Sequence, residues 1–159
     1  MSKATIKLKD YSQINEELTV RAANTITPGM LVSLHTDGTA QPHGTASGNA
    51  LAMFAVEDEL QGKSIDETYA AASPCQVWVP RRGDIVYAIL KDGNDVAIGD
   101  FLESGGDGRL QRLAAPDSTA DIATARIVAQ AIEAVDTSDS SGATSGTLVP
   151  HARIKVRVL

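Results

Sequence analysis

From Arg153 to Val158 the chain alternates strictly, with Ile154, Val156 and Val158 on one side and Arg153, Lys155 and Arg157 on the other. A period of two matches the pleat of a strand, and a strand with one apolar face must find a sheet. Ile6, Lys7, Leu8 and Lys9 repeat the pattern near the start of the chain, and Leu18 to Ala22 gives a third short candidate. Met30 to Leu34, Gln76 to Val79 and Ile85 to Leu90 read as strands, and the apolar run Leu51 to Val56 as a buried one. Ile127, Val128, Ile132 and Val135 turn the alanine-rich stretch from Ala125 to Val135 towards strand.

Turn chemistry separates these runs. Thr27-Pro28-Gly29 pairs a fixed φ with a permissive one, and Lys91 to Asn94 is a second turn. Ser104-Gly105-Gly106-Asp107-Gly108 lies between two strand-like segments and reads as a hairpin tip that needs positive φ. His35 to Asn49 and Asp136 to Gly146 are rich in Gly, Ser and Thr and read as loops. Ser64 with Glu67 three residues on predicts a short helix that ends before Pro74. Many short strands with little helix in 159 residues predict a mainly β fold. The expected form is a small antiparallel β-barrel or tulip-like domain over residues 25–159, preceded by an N-terminal arm or edge strand over 1–24.

Charge narrows the function classes. Twenty acidic against 14 basic residues give a net charge of -6, so a phosphate backbone would repel the chain as a whole, and no nucleic-acid partner is expected. A mean hydropathy of -0.07 and the lack of any long apolar stretch point away from a membrane. The single Cys75 cannot form an internal disulfide, and the first residues lack the apolar block of a signal peptide. Synthesis in a reducing cytoplasm is expected.

No segment carries a persuasive catalytic pattern. Gly62-Lys63-Ser64 resembles the end of a phosphate loop, but Glu57 stands where its first glycine belongs, and a helix start accounts for it. Arg82-Gly83-Asp84 reads as a turn, and Gly105 to Gly108 as a hairpin tip without the repeats that a calcium shell needs. His35, His43 and His151 match no metal spacing, so neither metal nor other cofactor is expected, nor a small-molecule substrate. Trp78 has two readings: a packed core residue, or an interface anchor with Arg81 and Arg82 beside it. The basic faces of residues 5–9 and 154–159 are expected to be solvated or to meet an acidic partner. The candidate partner-binding residues are therefore Ile6, Lys7, Leu8, Lys9, Trp78, Arg81 and Arg82.

The block Val77-Trp78-Val79-Pro80-Arg81-Arg82-Gly83-Asp84, then Val96 to Ser104 and Gly108-Arg109-Leu110, resembles the capsid cement (decoration) proteins of tailed bacteriophages. Thr27 to Val32, Ala131 to Val135 and Arg153 to Val158 agree with the same pattern. The resemblance implies a structural virion protein, made in the host bacterial cytoplasm, that binds the major capsid protein on the outer surface of the expanded shell. It further implies a homotrimer at three-fold or quasi-three-fold positions, with an N-terminal arm, that stabilises the capsid without being an enzyme. A tail-tube or head–tail joining protein is the alternative, and a hydrolase built on Cys75 or a Ser/His pair is a third.

Overall fold

The computed structural model describes residues 4–9, 14–113, 126–139 and 152–159. The strands are β1 (Lys7–Lys9), β2 (Asn15–Thr19), β3 (Val32–Leu34), β4 (Ala40–Pro42), β5 (Phe54–Ala55), β6 (Pro74–Trp78) and β7 (Ile85–Ile89). They continue as β8 (Asp95–Val96), β9 (Phe101–Ser104), β10 (Leu110–Arg112), β11 (Ala129–Ala131), β12 (Val135–Asp136) and β13 (Arg153–Val158). The mainly β expectation holds.

Six strands form the largest sheet, in the antiparallel order β1-β7-β13-β11-β9-β10. A second sheet runs β2-β6-β5, and the pairs β3-β4 and β8-β12 stand as two-stranded ribbons. The strands of residues 1–24, β1 and β2, each lie at the edge of their sheet and pair with strands of the body. The large sheet curls until Leu90, just past β7, meets Leu110 of β10 through one isolated bridge. One bridge is not a ladder, so the sheet stops short of the expected barrel. The strands are too short to carry continuous pairing around a circumference.

The apolar residues divide into two clusters, and β5 and β6 run between them. Along these strands, Phe54 and Trp78 point into the cluster under the large sheet, with Val86, Leu102, Ile154 and Val156. Their neighbours Ala55 and Val77 point into the second cluster, with Val20, Ile26, Tyr69 and Cys75. Alternation sends successive side chains to opposite faces, so a strand covered on both sides serves two cores.

The helix expected after Ser64 is absent. The Ser64 amide donates to Glu67 Oε1 and the Glu67 amide to the Ser64 carbonyl, both at 3.2 Å, so the capping residues close a single turn. The chain then extends because Tyr69 exchanges backbone hydrogen bonds with Ile26 and buries its ring, its hydroxyl donating to the Val56 carbonyl at 2.7 Å. Tertiary pairing overrides the local helix signal. A 3-10 turn runs over Glu59–Gln61, ended by Gly62 at φ +70°. The Asp136 to Gly146 loop lies outside the described residues beyond position 139, as does His151.

Candidate functional site

The outward face of the large sheet is assembled by register. Ile85 of β7 lies opposite Arg157 of β13, Arg157 opposite Gln130 of β11, and Gln130 opposite Phe101 of β9. Directly opposed residues share a face. Their sequence neighbours Val86, Val156, Val158, Ala129 and Leu102 all fill the core, which leaves this row pointing away from it. Arg157 is exposed and Phe101 is 43% exposed, while Ile85 and Gln130 between and beside them are half-buried. Four strands in register span about 14 Å. Beside it, Ile98 at the β8–β9 turn is 70% exposed, and the Gly99 carbonyl there accepts from the Gln130 side chain at 3.1 Å.

The turn from β6 into β7 abuts this row. The buried Asp84 carboxylate accepts the Arg81 amide at 2.7 Å, and the Asp84 amide returns to the Arg81 carbonyl at 3.0 Å. Gly83 completes the turn at φ +96°, a conformation other residues resist. Its amide donates to the Val158 carbonyl at 2.9 Å, which fixes the turn beside Arg157. Arg81 and Arg82 are both exposed there.

Among the described residues, no carboxylate or other side-chain partner meets the guanidiniums of Arg81, Arg82 or Arg157. Every other lysine or arginine whose side chain is described has a partner, whether a side chain, a ring or a backbone carbonyl. Lys7 donates to Asn15, Arg21 to Gln41 and Lys91 to the Gly105 carbonyl, while Lys63 lies over the Tyr69 ring. Arg109 pairs with Asp92 and Asp107, Arg112 with Asp100, Arg126 with Glu103, Arg153 with Asp66 and Lys155 with Glu133. The unpaired cations thus gather at one end of the β7–β13 ladder.

The other sequence candidates sit elsewhere. Ile6 is wholly buried and its amide donates to the Glu57 carboxylate at 3.1 and 3.2 Å. Lys7 donates to Asn15 Oδ1 at 2.6 Å, with its ammonium 5.2 Å from the centre of the Trp78 ring. Lys7, with Thr5, borders an open groove of about 220 Å³ facing the acidic loop Glu57–Glu59. Leu8 is half-buried, and the Lys9 backbone pairs with Ile85. Trp78 is 0% exposed, so of its two readings the packed-core one is what this fold contains; both faces of β6 are covered. The basic face of β13 is not uniformly solvated either: Arg153 is buried beneath the Pro28 turn, Lys155 is half-buried against Glu133, and only Arg157 is open.

A Ser/His pair does exist. His43 Nδ1 lies 2.7 Å from Ser104 Oγ, while Nε2 faces the Asn49 carbonyl at 3.1 Å. Ser104 is 0% exposed, which leaves its hydroxyl out of a substrate's reach in this fold. The pair ties the Gly44–Asn49 loop to the β9–β10 hairpin. Beside it, Glu103 accepts from Ser47 at 2.7 Å, Gln111 at 3.0 Å and Arg126 at 2.8 Å. Burial opposes the charge on Glu103, but the three donors outweigh it and hold the carboxyl below its ordinary range. Cys75 is buried and far from nucleophilic, its thiol pushed up to about 12 by burial. Among the described residues, no group of three or more His, Cys, Asp or Glu is placed to hold a metal.

Ile85, Gln130 and Phe101 were not singled out by sequence, and Arg157 only as part of the basic face of residues 154–159. The alternation of β13 does put Arg157 on the polar side, but only strand pairing reveals its neighbours.

No protein-family model matches the chain, and no curated protein matches it. Among solved structures, the fold is similar to that of the head fiber gp8.5 N base of bacteriophage phi29, at 14% sequence identity and a TM-score of 0.50. That similarity covers 92% of this chain and 95% of the other.

Proposed function

We propose that this chain is a structural protein of a phage head, bound to the outer surface of the mature shell as trimers and holding it closed. The observation that carries the reading is the shared fold with a phage head fiber base over nearly the full length of both chains. The resemblance of the Val77 to Gly108 block to cement proteins supports the same setting from sequence. An open sheet face with unpaired arginines suits a protein whose work is attachment, and the acidic net charge suits an exterior position better than contact with packaged DNA.

The mechanism is binding linkage. A protein that binds the closed shell and not its loosened form stabilises the closed one, by about 4 kcal/mol at a thousandfold excess over Kd. A trimer reaching several capsid subunits raises the effective concentration of each further contact. A three-fold ring uses a head-to-tail interface that closes, so it cannot grow into a fibre.

Purified protein added to undecorated expanded shells should bind to saturation and raise their disassembly temperature. Absence of binding would remove the reading. The fiber-base likeness favours one second reading, a platform that attaches without strengthening the shell. Saturable binding with an unchanged disassembly temperature would select it.

A further inference from the structure

We propose that the outward face of the large sheet, with Arg81, Arg82 and Arg157 around Ile85, Gln130 and Phe101, is the surface that docks on the shell, and that it recognises clustered carboxylates there. This rests on the attachment reading above and names its site.

Three observations converge on it. The row from Ile85 to Phe101 is a continuous strip of sheet in which Arg157 and Phe101 are exposed and Ile85 and Gln130 half-buried, so it offers apolar and amide side chains beside an open arginine. The three guanidiniums beside it are those without partners, in a chain that has found partners for its other described cations and carries a net charge of -6. Their presentation is rigid, because the Asp84 carboxylate and the Gly83–Val158 hydrogen bond hold the Arg81–Asp84 turn against β13. A guanidinium offers a planar fork that matches a carboxylate in two parallel hydrogen bonds. Arginines around an aromatic and an aliphatic side chain have the composition of an interface centre.

The chemistry selects among occupants. A two-fold pairing of this face with itself would set arginine against arginine. A nucleic acid would meet three cations on an otherwise acidic protein, and the repulsion acts over a Debye length of roughly 8 Å. A carboxylate-bearing protein surface satisfies the arginines and covers Ile85 and Phe101 together.

The test compares wild type with R81A/R82A/R157A, the charge-reversed pair R81E/R82E, and Lys63→Ala, which removes a cation elsewhere. Each is titrated against undecorated shells assembled from the cognate major capsid protein, in roughly 50 and 500 mM salt. Unchanged melting temperature and Trp78 emission confirm that each variant is folded. The expected result is a loss of tenfold or more in shell affinity for both arginine variants, none for Lys63→Ala, and a salt dependence in wild type that the triple variant lacks. If wild type binds and the arginine variants bind equally well, the inference is overturned while the attachment reading stands. If wild type does not bind, both fall. If the triple variant instead loses self-association in native mass measurement, or loses retention of duplex DNA, the face belongs to a second copy or to nucleic acid, and the inference is overturned.

Discussion

Arg153 donates from Nη1 to the Pro28 carbonyl at 2.7 Å, joining residues 125 positions apart in the chain. Its Nη2 reaches the Ile65 carbonyl at 2.6 Å and Asp66 at 3.2 Å, so one buried side chain on the last strand fastens the Pro28-Gly29 turn and the Ser64–Glu67 turn. The turn is itself wedged in place, with the Gly29 amide donating to Ala55 and its carbonyl accepting from Ile89.

Arg153→Ala should therefore destabilise the fold by about 3 kcal/mol, because it strands two buried carbonyls and a carboxylate. Gly29→Ala should cost about 2 kcal/mol or more. Its φ is +92°, and an added methyl would collide with the Arg153 guanidinium. Equilibrium urea unfolding measures both. Wild-type stability in either variant would show that the clamp contributes nothing.

Glu103 predicts an acid limb to stability. Its carboxyl lies below its ordinary range in the folded chain, so its contribution is present above the unfolded value of about 4.3 and fades as pH falls through the folded one. Glu103→Gln should lower stability at neutral pH by about 2 kcal/mol and flatten the loss between about pH 5 and 3. An acid limb of unchanged steepness in the variant would assign it to other carboxylates.

Cys75 predicts a silent thiol. With its pKa pushed up to about 12 by burial, almost no thiolate forms at pH 8, and an aromatic disulfide reagent should react only as the protein unfolds. The neutral thiol is favoured in the folded chain, so its contribution is complete below the unfolded value of about 8.5 and declines as pH rises through the folded one. Rapid labelling under native conditions would contradict the burial.

Trp78 predicts a core defect when truncated. Trp78→Ala removes the largest side chain from the cluster under the large sheet and should cost about 4 kcal/mol. As the one tryptophan of the chain, it also reports folding: native emission should be blue-shifted and should move to the red on denaturation. A solvent-exposed emission spectrum in the native protein would contradict its placement.

Alternation along short runs and the Pro/Gly turns were enough to locate most strands. The Ser104 to Gly108 tip joins β9 to β10 with Gly106 and Gly108 at positive φ, as its glycines require. These features are local, since a strand's period and a turn's dihedrals belong to residues adjacent in sequence. The sequence by itself thus determined a mainly β chain, the positions of its turns and the polar side of β13. Tertiary structure alone decided that Trp78 and Val77 serve two different cores, that Arg153 is buried while Arg157 is open, and that Ser64 starts no helix. It also decided which residues stand beside one another on the sheet face. Each outcome depends on pairing between segments far apart in the chain, and a period of two says that a strand has two faces without saying what will cover either.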